Sequence, residues 1–262
     1  MKYWKITLLS LNIFFITAIF TSVNATAITS DLTLSAEIDF DLSVVPLNAT
    51  QNGTIAITSG GVDDIRSVSD TAVSGGSTPL ISTLTDMNDG ISFLGSMAST
   101  AGFADAVLFS DLFIDIENSS STTAYQLNFR VDYQLIAESN GLDAISGASV
   151  NIFDNNSLVD ILIDDVFSDT LFAPGQDDTG AVSSFFDVFV DVGPLSTVSL
   201  SGAFGMDGLA ILSGDSFTVS NSIQIALTGV TAITSSVPEP NVITMIMMSF
   251  MGFRLVKRLS GD

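Results

Sequence analysis

Aspartate is the side chain that offers the most chemistry in this sequence. The short segments 86–90 (DMNDG) and 176–178 (QDD) each bring oxygen ligands close together. A hard cation such as Ca²⁺ needs several converging carboxylate and amide oxygens. Weak calcium sites are therefore one interpretation, but aspartate also favours turns and keeps proteins soluble, and we favour that second interpretation. The candidate calcium ligands are Asp86, Asn88, Asp89, Asp177 and Asp178.

Side chains that move protons near neutral pH are scarce. The sequence has no histidine and no cysteine, and residues 28–236 contain no lysine. This composition excludes a histidine-activated serine, a serine–lysine dyad and a zinc site of the ordinary type. A glycosidase that uses two carboxylates remains open as an alternative, although Tyr125 and Tyr133 are the only polar aromatic side chains in this region that could hold a sugar. We predict that the protein is not an enzyme.

The charge of residues 28–236 is strongly negative. This region has 27 acidic residues against two basic ones, Arg66 and Arg130, which gives a net charge of −25. Such a surface repels nucleic acid and anionic lipid headgroups and attracts cations. Nucleic-acid binding is therefore excluded. Because there is no cysteine, burial of apolar side chains must hold the fold together.

Residues 1–27 have the three parts of a secretory signal peptide. Lys2 and Lys5 make the start basic, an apolar run follows from Ile6 to Phe20, and Ala25-Thr26-Ala27 has the small-x-small pattern of a cleavage site. The apolar run is shorter than the roughly 20 residues that a membrane-spanning helix needs. We therefore expect cleavage after Ala27 rather than an uncleaved anchor, with a competing site after Ala25.

The last 26 residues, 237–262, form a second distinct region. Here Pro238-Glu239-Pro240 precedes a largely apolar stretch, 241–256, and the basic side chains at the end are Arg254, Lys257 and Arg258. As a helix, this stretch would measure about 24 Å, and snorkelling side chains with local bilayer thinning could match it to the membrane. We predict one transmembrane helix with its basic end in the cytoplasm. An apolar helix docked on the body is the alternative.

The region between these ends has the pattern of β-strands. Residues Tyr125 to Leu135 alternate apolar and polar side chains, as a half-buried strand does. Polar or Gly/Pro turns separate it from its neighbours, so we predict an all-β, antiparallel β-sandwich of jelly-roll or immunoglobulin-like type over 28–236. Strands are less clear before residue 91, and 91–106 is also compatible with a helix. The other predicted strands are Asp111–Glu117, Ala148–Phe153, Leu158–Val166, Ala181–Val192, Val198–Phe204 and Ser216–Val230.

The C-terminal pattern resembles the PEP-CTERM sorting signal of Gram-negative bacteria. The residues that carry the resemblance are Pro238-Glu239-Pro240, the apolar span to Phe253 and the basic end Arg254, Lys257 and Arg258. The span departs from the family in being rich in methionine, and Leu255 and Val256 interrupt the basic cluster. The resemblance covers about 26 residues and says little about the body.

The resemblance implies a route for the whole chain. Signal peptidase would remove residues 1–27 after export through the inner membrane, and an exosortase-type enzyme would process the membrane-anchored precursor at its tail. The implied destination is the cell surface or the extracellular matrix, with polysaccharide as a possible partner. We therefore predict a non-enzymatic surface or matrix protein with no cofactor other than possible Ca²⁺. The alternative is a calcium-dependent adhesin or a carbohydrate-binding module.

Overall fold

The computed structural model describes residues 27–99, 102–171 and 178–233. Alternating apolar residues make strands of most of this region, and it contains no helix. The thirteen strands in it are β1 (Leu32–Ser43), β2 (Ala49–Ser59), β3 (Val62–Ser69), β4 (Val73–Ser74), β5 (Leu80–Leu84), β6 (Gly90–Ser99), β7 (Ala104–Asn118), β8 (Ala124–Asn140), β9 (Ala144–Asp154), β10 (Val159–Asp169), β11 (Asp178–Val192), β12 (Ser196–Ala210) and β13 (Ser216–Ile233).

The strands form two antiparallel sheets that face each other. The seven-stranded sheet has the order β10-β9-β12-β7-β1-β4, and β5 also pairs with β1. The six-stranded sheet has the order β11-β8-β13-β6-β2-β3. The predicted all-β, antiparallel sandwich is confirmed by this arrangement.

Crossovers between the two sheets dominate the second half of the chain. From β6 to β13, consecutive strands lie in opposite sheets except for the β9–β10 hairpin. The strands β10 and β11 therefore end up at the same side of the sandwich, each at the edge of its own sheet. This placement creates the groove described below.

Strand β8 shows how the sequence selects its buried face. Tyr125, Leu127, Phe129, Val131 and Tyr133 are all buried, whereas the polar residues between them are half-buried. Because side chains alternate across a strand, a shift of one residue in register would expose this whole apolar set. The long pairing of β8 with β13, from Ala124–Ile233 to Asn140–Ser216, fixes that register.

One continuous core lies between the sheets. Phe93 of β6 and Phe204 of β12 meet across it with ring centroids 5.6 Å apart, and both rings are almost fully buried. Aromatic pairs in this range of distances add about 0.5–1.5 kcal/mol beyond the burial of their area. Core packing of this kind, without disulfides, holds the body together.

Residues 91–106 are compatible with a helix in the sequence, but the structure has strands on both sides of a short connection there. Strand β6 ends at Ser99 and β7 begins at Ala104. Gly95 packs against the opposite sheet so closely that a Cβ atom there would lie 2.1 Å from Met206 Cε. Gly95 therefore allows the two sheets to approach closely, and it lies inside a strand rather than at the end of a helix.

Within the residues that the structure describes, no helix has the length and apolar character to cross a membrane. The predicted transmembrane helix 241–256, the sorting motif and the signal peptide up to residue 26 lie outside them.

Candidate functional site

The first group of candidate calcium ligands lies in the turn between β5 and β6. Asp89 is 2% exposed, and its Oδ2 accepts backbone N–H hydrogen bonds from Thr85 at 2.7 Å, Asp86 at 2.9 Å and Gly60 at 2.9 Å. The Thr85 hydroxyl adds a fourth donor at 3.3 Å. Through these hydrogen bonds the Asp89 carboxylate closes the turn between β5 and β6 and links this turn to the β2–β3 hairpin.

The neighbouring residues of the turn have other roles. Asn88 adopts a left-handed backbone conformation with φ of 73°, which asparagine tolerates better than most residues. Its N–H donates to the Leu227 carbonyl oxygen at 2.7 Å, and the Leu227 N–H donates to the carbonyl oxygen of Asp89 at 2.9 Å. The backbone of the turn thus extends the pairing of β6 with β13 by these two hydrogen bonds.

The second group of candidates is placed only in part. Asp178 begins β11, but its side chain lies outside the described residues, as does the whole of Asp177. Among the residues with described positions, no group of three or more acidic side chains could hold a metal ion. The calcium hypothesis therefore stays a prediction.

Asp215 repeats the arrangement of Asp89 at another turn. This carboxylate is buried, and it accepts N–H hydrogen bonds from Leu142 at 2.8 Å, Leu212 at 2.9 Å and Asp143 at 3.1 Å. Burial acts to raise the pKa of Asp215, but these hydrogen bonds outweigh it and lower the pKa. The carboxylate therefore links the β8–β9 and β12–β13 turns in its charged form.

Other carboxylates repel each other. Burial raises the pKa of Asp111, and the neighbouring Asp41 and Asp39 raise it further. In the same sheet, burial and the nearby Asp105 raise the pKa of Asp207. When these side chains are charged, they repel one another and destabilise the fold. Such repulsion is expected in a body with so few basic residues.

A groove opens between the edge strands β10 and β11. It has a volume of about 660 Å³ and is lined mainly by apolar side chains of β10, β11 and β12, together with several polar and acidic residues. The apolar lining includes Val159, Ile161, Phe186, Val188, Val190 and Leu200, and the acidic residues at the groove are Asp154, Asp187 and Asp191. Val188, Val190 and Leu200 are buried, whereas Val159 is exposed.

At one end of the groove, Tyr133 of β8 contacts both edge strands. The Tyr133 hydroxyl of β8 donates to Asp164 Oδ2 of β10 at 2.6 Å, and the Tyr133 ring packs edge-on against Phe186. Farther along, β11 comes so close to β10 that a Cβ atom on Gly180 would lie 3.0 Å from the Phe167 carbonyl oxygen. Beyond Tyr133 the strands separate and leave the groove open.

Strand β11 carries large apolar side chains on both faces along this groove, and on its outer face they alternate with Asp187 and Asp191. Its inner face presents Phe186, Val188 and Val190, while Phe185 and Phe189 on its outer face are 63% and 61% exposed. Arg130 stacks on the Phe185 ring at 4.2 Å and pairs with Asp132. The segment 185–190 (FFDVFV) signalled a strand in the sequence, but nothing there indicated that this strand lies at an edge.

No family model matches the chain, and no curated protein does. Similarity to solved structures is low. A structure of infectious bursal disease virus, Gt strain, has a TM-score of 0.19 and 11% identity, with coverage of 83% of this chain and 72% of that chain. The VP2 subviral particle of the same virus has a TM-score of 0.20 and 12% identity, with coverage of 75% and 65%. Scores this low carry no argument about fold or function.

Proposed function

We propose that this protein is an exported, non-enzymatic surface or matrix protein that is sorted through its C-terminal tail. The observation that supports the proposal is the order of the features in residues 237–262: Pro238-Glu239-Pro240, an apolar stretch and a basic end. The pattern of a signal peptide in residues 1–27 supports it as well. An exosortase-type enzyme is the partner that this order implies.

The described body is compatible with such a role. Strand β13 ends at Ile233, four residues before Val237, so the folded body and the tail follow each other directly. Its buried carboxylates Asp89 and Asp215 hold turns together. A body of this kind would fold before processing and would leave the tail accessible to a membrane enzyme.

We further propose that the eight strands β6–β13 form a jelly roll. One four-stranded layer has the order β6-β13-β8-β11 and the other the order β7-β12-β9-β10. Together with the β9–β10 hairpin as the single connection within a layer, this is the strand order of two Greek keys. Strands β1–β5 extend both layers on the side away from the groove.

The prolines give a physical basis for recognition of the tail. Proline at 238 and 240 lacks an N–H and fixes φ, so a helix over 241–256 cannot continue back through Glu239. Glu239 would stay extended at the outer membrane face, where an enzyme embedded in the membrane can reach it.

The test replaces Pro238-Glu239-Pro240 by three alanines in the native host. The variant should remain in the membrane fraction, whereas the wild type is released or attached at the surface. A matched control replaces Thr234-Ser235-Ser236 by three alanines and should be processed normally. Normal release of the first variant would overturn the proposal.

A further inference from the structure

Strand β3 is a regular edge strand that has a partner on one side only among the described residues. It pairs with β2 over its whole length without a bulge, and no described strand lies along its other side. Both of its faces are open to solvent, since Val62, on the face toward the other sheet, is 71% exposed and Ile65, on the opposite face, is 56% exposed. Edges of this kind bind other extended chains unless a bulge, a proline or a covering segment prevents it.

The unused backbone groups of β3 belong to its odd-numbered residues. Gly60 and Gly61 join β2 to β3 with φ of 57° and 74°, the pattern of a type I′ turn, in which the N–H of Val62 points back at β2. Just after β3, the N–H of Asp70 donates to the Gln51 carbonyl oxygen of β2 at 2.9 Å. Because this direction alternates along a strand, the N–H and C=O groups of the odd-numbered residues point away from β2.

One antiparallel register of β3 against a second copy of itself joins opposite charges. In this register Ile65 lies on the two-fold axis, opposite its own copy. Asp64 of each chain then lies opposite Arg66 of the other, on the same face of the sheet. Likewise, Val62 of each chain lies opposite Val68 of the other. Each Asp64–Arg66 pair is a non-hydrogen-bonded pair, in which the Cα atoms are only about 4.5 Å apart and the side chains are close.

The neighbouring registers join like charges instead. With residue 64 on the axis, the two Asp64 carboxylates would face each other, and with residue 66 on the axis, the two Arg66 guanidinium groups would do so. Like charges directly opposite each other destabilise a sheet, whereas opposite charges stabilise it. The sequence of β3 therefore specifies a single register with a second copy.

The charges of the body also favour β3 over the other long edges. The described ion pair joins Arg130 to Asp132, and Arg66 forms none with any described carboxylate. Strands β10 and β11 carry acidic side chains and no basic one, so a second copy would be repelled there. The net charge of −25 on each body opposes association at β3 as well, but exposed charges more than about 8 Å apart are largely screened at physiological salt.

We propose that the protein forms a two-fold symmetric dimer through antiparallel pairing of β3 with β3 of a second copy, centred on Ile65. The pairing joins the two six-stranded sheets into one continuous sheet. The odd-numbered residues exchange backbone hydrogen bonds across the axis, and an Asp64–Arg66 pair lies on each side of it. A contact between two strands of this length is smaller than a standard interface, so the dimer is weak and depends on concentration. This inference goes beyond the sorting role and does not require that the tail be cleaved.

A single thiol on the axis tests the pairing, because the chain has no native cysteine. Residues in a hydrogen-bonded antiparallel pair have Cα atoms about 5.5 Å apart, which a disulfide can span. The variant Ile65→Cys, as residues 28–262 in mild detergent, should therefore form a disulfide-linked dimer under mild oxidation. The control is Ile163→Cys, since Ile163 is 62% exposed and lies on the acidic edge strand β10.

Non-reducing gels measure the rate of disulfide formation. Each rate is divided by the rate at which the same thiol reacts with a small neutral reagent, because neighbouring charges change the reactivity of a thiol. Ile65→Cys should form the dimer at least about tenfold faster than Ile163→Cys, since pairing raises the effective concentration of the second thiol.

Charge variants separate this register from chance collisions. In the Ile65→Cys background, Arg66→Asp and Asp64→Arg each place like charges opposite one another, so each alone should react at least about tenfold more slowly. An equimolar mixture of the two restores both opposite-charge pairs, and it should form the mixed disulfide at a rate close to that of Ile65→Cys. Asp64→Arg makes the body less negative, so its slower reaction cannot come from net charge. Asp160→Arg on β10 changes the net charge equally and should leave the rate unchanged.

Two results would overturn the proposal. One is an equal rate for Ile65→Cys and Ile163→Cys, and the other is a mixture that reacts no faster than its two components. Circular dichroism should show the same fold for all variants, since the substituted side chains are exposed. Neither result would affect the sorting proposal, since no processing enzyme is present.

Discussion

The turn carboxylate of Asp89 provides the sharpest test of a structural role against a metal-binding role. Hydrogen bonds to a charged group contribute about 1.5–3 kcal/mol each. Three backbone N–H groups converge on Asp89 Oδ2, from Thr85, Asp86 and Gly60. These donors lie near the surface, so water can replace part of what is lost when the carboxylate is removed.

We therefore expect Asp89→Ala to lower the free energy of unfolding by about 2–4 kcal/mol. Asp89→Asn keeps one acceptor but loses the charge, and it should cost about 1–2 kcal/mol. For a body of this size, 1 kcal/mol corresponds to about 2–4 °C in Tm, so the alanine variant should melt about 5–15 °C lower. Differential scanning calorimetry of the body would measure this fall.

The matched control is Asp86→Asn, which removes one charge from the same turn. No described side-chain hydrogen bond depends on the Asp86 carboxylate, so its Tm should stay close to that of the wild type. Each protein is melted both with calcium chloride and with a chelator. The structural role predicts the same loss for Asp89→Ala in both solutions. A loss that appears only with calcium would refute the reasoning and support a calcium site.

Three further substitutions test other parts of the structure. Phe204→Ala removes a ring that is buried against Phe93, and it should cost about 3–5 kcal/mol in urea denaturation. Burial, Asp41 and Asp39 raise the pKa of Asp111. The fold is therefore more stable in acid, where Asp111 is protonated, and this stability is lost as pH rises through the raised pKa. Asp111→Asn should therefore have a higher urea midpoint than the wild type at neutral pH and the same midpoint in acid. Burial acts to raise the pKa of Asp215, but the backbone hydrogen bonds to it lower the pKa. The charged Asp215 therefore stabilises the fold above the unfolded pKa of about 3.9, and this stabilisation is lost as pH falls through the lower folded pKa. Asp215→Asn should be less stable than the wild type at neutral pH, by urea midpoints, and this difference should shrink in acid; a constant difference would contradict the assignment.

The strands of the second half could be predicted from the sequence because each buries one face. The alternation from Tyr125 to Leu135 lies within β8, and the polar or glycine-containing segments 155–158 and 211–215 lie between β9 and β10 and between β12 and β13. A strand with one buried face and one face exposed to water needs apolar and polar side chains in alternation, and the sequence shows this alternation. The sandwich class followed from these elements.

Two strands of the first half, β3 and β6, were less predictable because their patterns are weaker. Strand β3 is exposed along most of its length, so no buried face marks it. Strand β6 contains Gly90 and Gly95, which allow close approach of neighbouring strands and side chains. A glycine selected for close packing looks the same in a sequence as one that breaks an element.

The sites depend on contacts that spacing cannot reveal. The turn 86–90 resembles a cluster of cation ligands in the sequence, but one of the donors to Asp89 is Gly60, 29 residues earlier in the chain. The groove exists because β10 and β11 lie at the edges of opposite sheets. Both facts require the topology, and local composition contains neither.

The most direct test of the proposed sorting role is the C-terminal mass of the protein recovered from native cells and from their medium. The proposal predicts that the surface or released form lacks everything from about Pro240 onward, while a minor membrane precursor retains Asp262. If all of the recovered protein ends at Asp262 in the membrane fraction, the tail is a permanent anchor. That result would contradict processing by an exosortase-type enzyme.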